Sequence, residues 1–469
     1  MKKKGFKIEY LIYIYLVISP FLDAISCMYR EWFPSVKFSP LMVIRPIIPI
    51  ILLLYIFIKD KKSRIKLFIL GLIYCIYGLI HLLIFKKLLT GISYGNIFTE
   101  ALYIFNYTYM IFVLYIIMYF SKKNRLSELK KYLFYMLCSY LLIIYVSIIT
   151  KTSLSTYVEG TGYRSWFVSG NTLCTVLILL FCLLIDNIFN SKKIINYLIF
   201  LLLGIYMIFL VGTRTGMLGF LIVFIMYLIL RIFFNIKKKI KFNKKIVMGI
   251  IVILIVGGLL VYKVGSNTFE RRKVMSDMED DIIDINTNEI AHVTGDSMRF
   301  IYDIKNYGVD EEYISREQQL AYLNMYEFCN KYKIKSNNYR VQQLVYNVYL
   351  VREQANIKYI LFGNGHVNQY GEMILEMELP FILLNFGIIG FIIYVGPLLY
   401  LLFKYIIRFK KKNINYYMYI FGLLIAFGLS CIAGYVLYSS TCVLVMICMF
   451  YLLENNGDKN EKKNIIWYN

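Results

Sequence analysis

The chain has 469 residues, of which 59 % are hydrophobic and only 17 % are charged, and its formal net charge is +23. Apolar runs of about 18 residues or more recur along it, the length that a helix needs to cross about 30 Å of hydrocarbon. This composition excludes a soluble globular protein and predicts an integral membrane protein that crosses the bilayer many times.

The basic residues indicate topology and not a nucleic-acid partner. With the N-terminus in the cytoplasm, most Lys and Arg fall in loops on the cytoplasmic side, and the short outer loops carry few. Shifting the register by one span would place the lysines of residues 237–245 outside, against the tendency of basic residues to stay in the cytoplasm. We therefore expect a multi-pass protein of the cytoplasmic membrane with both termini in the cytoplasm and no nucleic-acid partner.

The predicted fold class is an all-α integral membrane protein with about twelve transmembrane helices. In chain order the predicted spans are residues 10–28, 41–58, 67–85, 97–120, 132–149, 166–189, 194–211, 217–234, 246–262, 379–403, 416–433 and 437–453. Residues 1–263 hold the first nine spans, residues 264–378 form one large extracytoplasmic loop, and residues 379–469 hold the last three spans and a cytoplasmic tail. Apolar residues at helical spacing from Val341 to Val348 predict that the loop is mainly helical.

Arg214 is the first candidate site residue. It lies in the sequence Gly-Thr-Arg-Thr-Gly at 212–216, in the short hairpin expected on the outer face between the seventh and eighth spans. The flanking glycines allow a tight turn and the close approach of a ligand, and a guanidinium can hold a phosphate with two parallel hydrogen bonds. The alternative is an arginine that reaches to lipid headgroups.

Two more arginines lie near the outer ends of predicted spans. Arg164 precedes the sixth span, where it is either a phosphate ligand or an interfacial anchor. Arg45 lies inside the second span, and a charge at that depth must pair or face a wet cavity. Its partner would be Asp23 or Glu100, so an ion pair within the fold and a ligand-facing cation are both open interpretations.

The large loop supplies Arg299 and, in Phe-Gly-Asn-Gly-His at 362–366, His366. A histidine at a flexible turn next to the membrane suits a general base that takes a proton from an acceptor hydroxyl. An exposed histidine without a role is the alternative. The acidic run at 279–284 is typical of a solvated face, and no cluster of His, Cys and Asp has metal-ligand spacing. We therefore expect neither a metal nor another cofactor.

In this order along the chain, the motifs resemble those of the superfamily of O-antigen ligases and O-antigen polymerases, which are bacterial membrane glycosyltransferases. The matching stretches are residues 212–216, Arg299, residues 362–365 and the sequence Leu-Asn-Phe-Gly-Ile-Ile-Gly at 384–390. The layout of many spans with one large outer loop late in the chain is similar as well.

The resemblance implies a metal-independent enzyme that transfers or polymerises oligosaccharide units for surface polysaccharide. The donor would be an oligosaccharide on a polyprenyl-diphosphate carrier, used at the outer face of the cytoplasmic membrane. Besides this donor and membrane lipid, a flippase and a chain-length regulator are candidate partners.

The same resemblance implies roles for the candidate residues. Those assigned to the diphosphate, by motif or by position, are Arg214, Arg299, Arg164 and Arg45. His366 would be the base, but the small polar pair that usually follows the Gly-x-Gly turn is absent. Glu372 is therefore an alternative base, as are Glu376 and Glu378.

Several functions stay open at this point. A polymerase extends a growing lipid-linked glycan, whereas a ligase uses a separate acceptor, and the polymerase is only slightly favoured. A flippase for lipid-linked oligosaccharide, or another transporter, is the alternative from a different class, although no inverted repeat or charged cluster at the bilayer midplane is evident. A sensor or assembly protein would explain the outer loop but not an arginine in so short a hairpin.

Overall fold

The structure is a computed structural model, and its helices form one bundle. It describes residues 7–33, 39, 41–89, 97–123, 125–156, 162–191, 193–237, 331–332, 340, 344, 347–348, 356–363, 365, 375, 377–408, 413–432 and 434–455. Within these residues the helices are α1 (Tyr10–Trp32), α2 (Leu41–Lys59), α3 (Lys61–Leu89), α4 (Ile97–Lys122), α5 (Leu129–Ile149), α6 (Gly170–Asn190), α7 (Ile194–Ile205), α8 (Arg214–Lys237), α9 (Ile357–Phe362), α10 (Glu378–Tyr394), α11 (Gly396–Ile407), α12 (Ile414–Ile432) and α13 (Ser440–Asn455).

The apolar runs of the sequence predicted most of these helices correctly. Each predicted span overlaps a helix except the one at 246–262, which lies outside the described residues together with most of the large loop. Among the described helices, seven are long and apolar enough to cross a membrane, or eight if α10 and α11, which meet at a bend of 48°, form one span. The chain is therefore a mostly helical integral membrane protein with several spans, and the total of twelve stays a prediction.

Helices α6 and α13 form the centre of the bundle. Every residue from Leu173 to Asp186 is buried, as is every residue from Thr441 to Leu453. A helix that is apolar around its whole circumference belongs inside a bundle, where other helices cover all its faces. Helix α3 is the opposite case, because Leu79 and Leu83 expose more than half of their surface, as expected of a helix that faces lipid.

The basic loops meet at one end of the bundle, which is the predicted cytoplasmic end. Lys123 lies 3.7 Å from Asp60, and Lys404 lies 2.9 Å from Glu454. Asp60 also caps α3, since its carboxylate accepts the backbone N–H of Ser63 at 3.2 Å, and this donation lowers the pKa of the carboxyl below its usual value. The described segments that carry Arg164 and Arg214 lie at the other end.

A short β-hairpin at that other end departs from the all-α prediction. Strands β1 (Leu154–Ser155) and β2 (Tyr163–Ser165) pair in antiparallel fashion, so α6 begins at Gly170 and not at residue 166. The hairpin is fixed to the chain after α7, where the hydroxyl of Thr156 donates to the carbonyl of Val211 at 2.7 Å. It thereby brings the segment of Arg164 next to the turn that precedes Arg214.

Candidate active site at the predicted outer end

A cavity of about 550 Å³ opens at the predicted outer end of the bundle. Its walls come from α1, α2, α4, the start of α6 and the segment that joins α12 to α13. The volume falls within the range of roughly 300–1,000 Å³ that is usual for small-molecule sites.

Arg45 and Asp23 form the charged floor of the cavity. The guanidinium of Arg45 donates to a carboxylate oxygen of Asp23, and the other oxygen accepts the hydroxyls of Thr441 and of Tyr140. Of the two partners that the sequence suggested for Arg45, the structure shows Asp23. Arg45 and Asp23 also both line the cavity. Arg45 therefore forms an ion pair within the fold and at the same time faces the space where a ligand would bind.

Arg30 adds a second cation to the cavity wall. It lies in the last turn of α1 and is exposed, and within the described residues it makes no hydrogen bond or ion pair. A guanidinium has five N–H donors, and no described residue uses those of Arg30, so they face the cavity as donors for a ligand.

Two helix N-termini also face the cavity. Ser169, the N-cap residue of α6, and Thr172 in its first turn line one wall, and Ser439 and Ser440 at the start of α13 line another. Helix N-termini attract anions because their first backbone N–H groups lack intrahelical partners and the helix dipole is positive there. Together with the two arginines, they make the cavity suited to a phosphate group.

A further part of the lining is apolar. Leu102 and Phe105 of α4, Phe167 before α6, and Leu173 and Val176 within α6 provide this surface. Phe105 exposes 47 % of its surface, so the apolar wall continues to the outside of the bundle. An anionic group joined to a hydrocarbon chain matches a cavity with one charged side and one apolar side.

Glu378 fixes the segment between α12 and α13, which forms one wall of the cavity. Its side chain is fully buried and accepts the backbone N–H groups of Leu437, at 2.6 Å, and of Tyr438. The hydroxyl of Tyr107 donates to the same carboxylate at 3.2 Å. Glu378, one of the alternative bases, is therefore placed as the support of the cavity wall that contains Tyr438.

Replacing Glu378 by glutamine should destabilise this wall. One amide oxygen can still accept a backbone N–H, but the amide nitrogen then faces a second donor, and a buried donor without an acceptor costs about 1–3 kcal/mol. We expect a lower thermal midpoint and weaker binding of a long-chain lipid phosphate, measured on purified protein in lipid. Glu454→Gln, at the opposite end, is the control that should leave this binding unchanged.

The two short motifs at 362–365 and 384–390 pack against each other. The backbone N–H of Gly365 donates to the carbonyl of Asn385 at 2.8 Å. Gly363 and Gly387 have φ values of 80° and 70°, which favour glycine, and a Cβ on either would overlap the backbone of the other motif. Their glycines therefore allow two backbones to approach each other more closely than side chains would permit.

His81 and Glu100 form a buried pair beneath this contact. His81 Nε2 lies 2.6 Å from Glu100 Oε1, and His81 Nδ1 lies 2.7 Å from the carbonyl oxygen of Phe362. Neither side chain of the pair is exposed to solvent. The pair thus connects the ends of α3 and α4 to the first residue of the Phe-Gly-Asn-Gly turn.

Aromatic rings join this turn to the cavity. The imidazole of His81 lies 5.1 Å from the ring of Phe386, which lies 5.6 Å from the ring of Tyr107. Tyr107 lies 5.9 Å from Tyr438, a cavity-lining residue. The motif contact and the cavity are therefore neighbouring parts of one packed region.

The predicted site residues fall into three groups in the structure. Arg45 lines the cavity, whereas Arg214 and Arg164 do not. Arg214 begins α8 with an exposed side chain and has no hydrogen bond or ion pair within the described residues. Arg164 lies 3.2 Å from Glu31 and donates to the carbonyl of Val168, a lining residue. The others, Arg299, His366 and Glu372, lie outside the described residues, and their roles stay predictions.

Sequence reasoning missed Arg30 and the His81–Glu100 pair. Arg30 lies at the outer end of the first predicted span, where the tendency of basic residues to stay in the cytoplasm does not account for an arginine. Glu100 was considered only as a partner of Arg45, and nothing in the sequence joined it to His81, which lies within the third predicted span. Among the described residues, no three His, Cys, Asp or Glu side chains form a group that could hold a metal ion.

Comparison with known proteins adds one finding. The model of a family described as "O-antigen ligase like membrane protein" matches residues 6–456, nearly the whole chain. No curated protein and no solved structure matches the chain.

Proposed function

The chain belongs to the family of O-antigen ligase-like membrane proteins, and from this premise we propose that it is a glycosyltransferase of surface polysaccharide assembly. It takes oligosaccharide from a polyprenyl-diphosphate carrier at the outer face of the cytoplasmic membrane and adds it to an acceptor hydroxyl. We propose that it acts as a polymerase, whose acceptor is the growing lipid-linked glycan, and that the reaction needs no metal.

The cavity carries this proposal. Arg45, Arg30 and the N-termini of α6 and α13 provide cationic and N–H groups for a diphosphate. The adjoining apolar wall, with Leu102 and Phe105, suits the first isoprene units of the carrier.

The proposed reaction is a displacement at the anomeric carbon. The acceptor hydroxyl attacks this carbon, a base removes its proton, and the bond to the diphosphate oxygen breaks, so that negative charge grows on the leaving diphosphate. Arginines that contact the diphosphate stabilise this charge more in the transition state than in the ground state. We assign the base to His366, with Glu372 as the alternative, and further diphosphate contacts to Arg214, Arg299 and Arg164.

One reconstitution tests the proposal. Purified protein in lipid vesicles receives a polyprenyl-diphosphate oligosaccharide and a metal chelator, beside the variants Arg214→Ala, His366→Ala and Glu372→Ala. We expect a ladder of longer glycans with release of polyprenyl diphosphate, a severe loss in the Arg214 variant and a loss in the His366 variant that Glu372→Ala does not reproduce. Phe233→Leu, at an exposed residue of α8, is the control variant and should keep the activity of the parent protein.

Other outcomes of this reconstitution would redirect the assignment. If polyprenyl diphosphate were released only after a foreign acceptor is added, the protein would be a ligase. Activity that requires a divalent cation would refute the metal-independent mechanism. Movement of the intact donor across the vesicle membrane without any transfer would contradict the enzyme and support a flippase.

A further inference from the structure

We propose that His81 and Glu100 are positioning residues that hold Gly363 and Gly365 against α10 and so fix the backbone immediately before His366 in the sequence. The inference rests on the proposed function for its catalytic consequence. The contact between the pair and the turn stands on geometry alone.

The hydrogen bonds of His81 restrict its protonation. The carbonyl oxygen of Phe362 can only accept, so Nδ1 of His81 carries a proton and donates to it at 2.7 Å. The 2.6 Å contact between Nε2 and Glu100 needs one further proton, on either the imidazole or the carboxyl group. In both arrangements the pair is neutral overall and His81 remains a donor to the turn, which permits complete burial of both side chains.

Packing makes the turn depend on the same pair. A Cβ added to Gly365 would approach the ring of Phe85, and it would lie 3.1 Å from the carboxyl carbon of Glu100. The pair therefore contacts the turn twice, by the hydrogen bond to Phe362 and by the surface beneath Gly365. Residue 366 follows immediately, so a shift of this turn moves the start of the segment that holds the proposed base.

Tyr77 provides a matched control because it makes a similar bond to the neighbouring motif. Its hydroxyl donates to the carbonyl of Phe386 at 2.7 Å, and its ring lies 5.9 Å from the imidazole of His81. Tyr77→Phe removes one buried hydrogen bond of this region but leaves the bond from His81 to the turn in place. A general loss of packing and a specific loss of positioning are thereby separated.

The experiment compares four variants of the full-length protein in lipid vesicles: His81→Ala, Glu100→Ala, Glu100→Gln and Tyr77→Phe. Hydrogen exchange of a peptide covering residues 359–366 reports on the turn, and steady-state kinetics report kcat and the donor KM. In Glu100→Gln a neutral His81 still donates from Nδ1 and accepts the amide N–H at Nε2, so the connection to the turn is kept.

We expect faster exchange in the peptide, and kcat lowered by about 10-fold to 100-fold, in His81→Ala and Glu100→Ala, because small misplacements of a reacting group have costs of this order. The donor KM should change by less than about 3-fold, because the proposed contacts to the donor phosphates lie in the cavity and not at this turn. A fall in kcat without a matching rise in KM indicates that an interaction of the transition state has been lost. Glu100→Gln and Tyr77→Phe should resemble the parent protein in both readouts.

Three results would overturn the proposal. They are unchanged exchange in His81→Ala, equal losses in Glu100→Gln and Glu100→Ala, and a loss of kcat in Tyr77→Phe as large as in His81→Ala. If the parent protein shows no transfer at all, the proposed function fails, but the exchange measurement still decides whether the pair holds the turn.

Discussion

Replacing Arg45 by alanine should lower the rate of glycan transfer by about 100-fold or more, the size of effect seen when one preorganised donor to a developing anion is removed. Arg45 lies on the charged side of the cavity, its pairing with Asp23 fixes its orientation, and 18 % of its side chain stays exposed to the cavity. A guanidinium held in this way needs no rearrangement when charge grows on a leaving diphosphate. Transfer is measured as release of polyprenyl diphosphate in vesicles.

Three further variants show which property of Arg45 matters. Arg45→Lys keeps the charge but lacks the planar fork that binds two phosphate oxygens, so we expect an intermediate rate. In Arg45→Ala with Asp23→Asn both charges are removed, which restores charge balance without restoring the phosphate ligand. This double variant should therefore recover thermal stability but not activity. Arg408→Ala, at the opposite end of the bundle, is the matched control.

Recovery of activity in the double variant would contradict the assignment. It would mean that Arg45 serves the fold, by neutralising Asp23 between α1 and α2, and that the diphosphate is held by the other proposed arginines. Arg214, which is exposed and has no ion pair within the described residues, would then be the first place to look.

The helices were predictable from sequence because each depends on its own composition. An apolar run becomes a helix in a membrane whatever its neighbours are, since the backbone has no other way to satisfy its hydrogen bonds there. The predicted starts at residues 10, 41 and 97 coincide with those of α1, α2 and α4. The sixth span was predicted four residues early because residues 166–169 form the turn between β2 and α6, although Ser169 is a recognisable N-cap.

The candidate site was predictable only where a single residue broke a local rule. Arg45 was found because a charge inside a span has to be explained, but the sequence left Asp23 and Glu100 both open as its partner, and only the packing of α1 against α2 decides for Asp23. The cavity depends on how α1, α2, α4 and α6 pack, and no periodicity within one helix contains that information. His81 and Glu100 illustrate the same limit, since each looks isolated until α3 and α4 bring them within 2.6 Å.

Among glycine-to-alanine substitutions in the two packed motifs, Gly363→Ala should cause the largest loss of stability. Gly363 has a φ of 80° and a ψ of 171°, a region that is essentially restricted to glycine and costs other residues about 1–3 kcal/mol. A Cβ there would also overlap the backbone of Asn385, and overpacking costs about 1–3 kcal/mol. We expect a loss of about 3 kcal/mol, or separation of the two motifs, seen as a lower thermal midpoint and faster exchange in residues 359–366.

Gly428→Ala is the matched control, because this glycine lies within α12 and a Cβ there would meet nothing within 4 Å. Alanine in a helix interior is favoured over glycine by about 0.5–1 kcal/mol, so this variant should be neutral or slightly more stable. A Gly363→Ala protein as stable as Gly428→Ala would show that the two motifs do not pack as described.

A double variant tests the contact between the motifs more directly. A Cβ on Gly387 would meet the backbone N of Gly363 and the carbonyl carbon of Leu361, each at 2.5 Å, so Gly387→Ala disrupts the same contact from the other side. Once one alanine has separated the motifs, the second has little left to disrupt. The combined loss of stability should therefore be smaller than the sum of the single losses, the mark of two residues that act on one interaction. Additive losses would mean that each glycine serves only its own turn, and the turn before residue 366 would then not be fixed by α10.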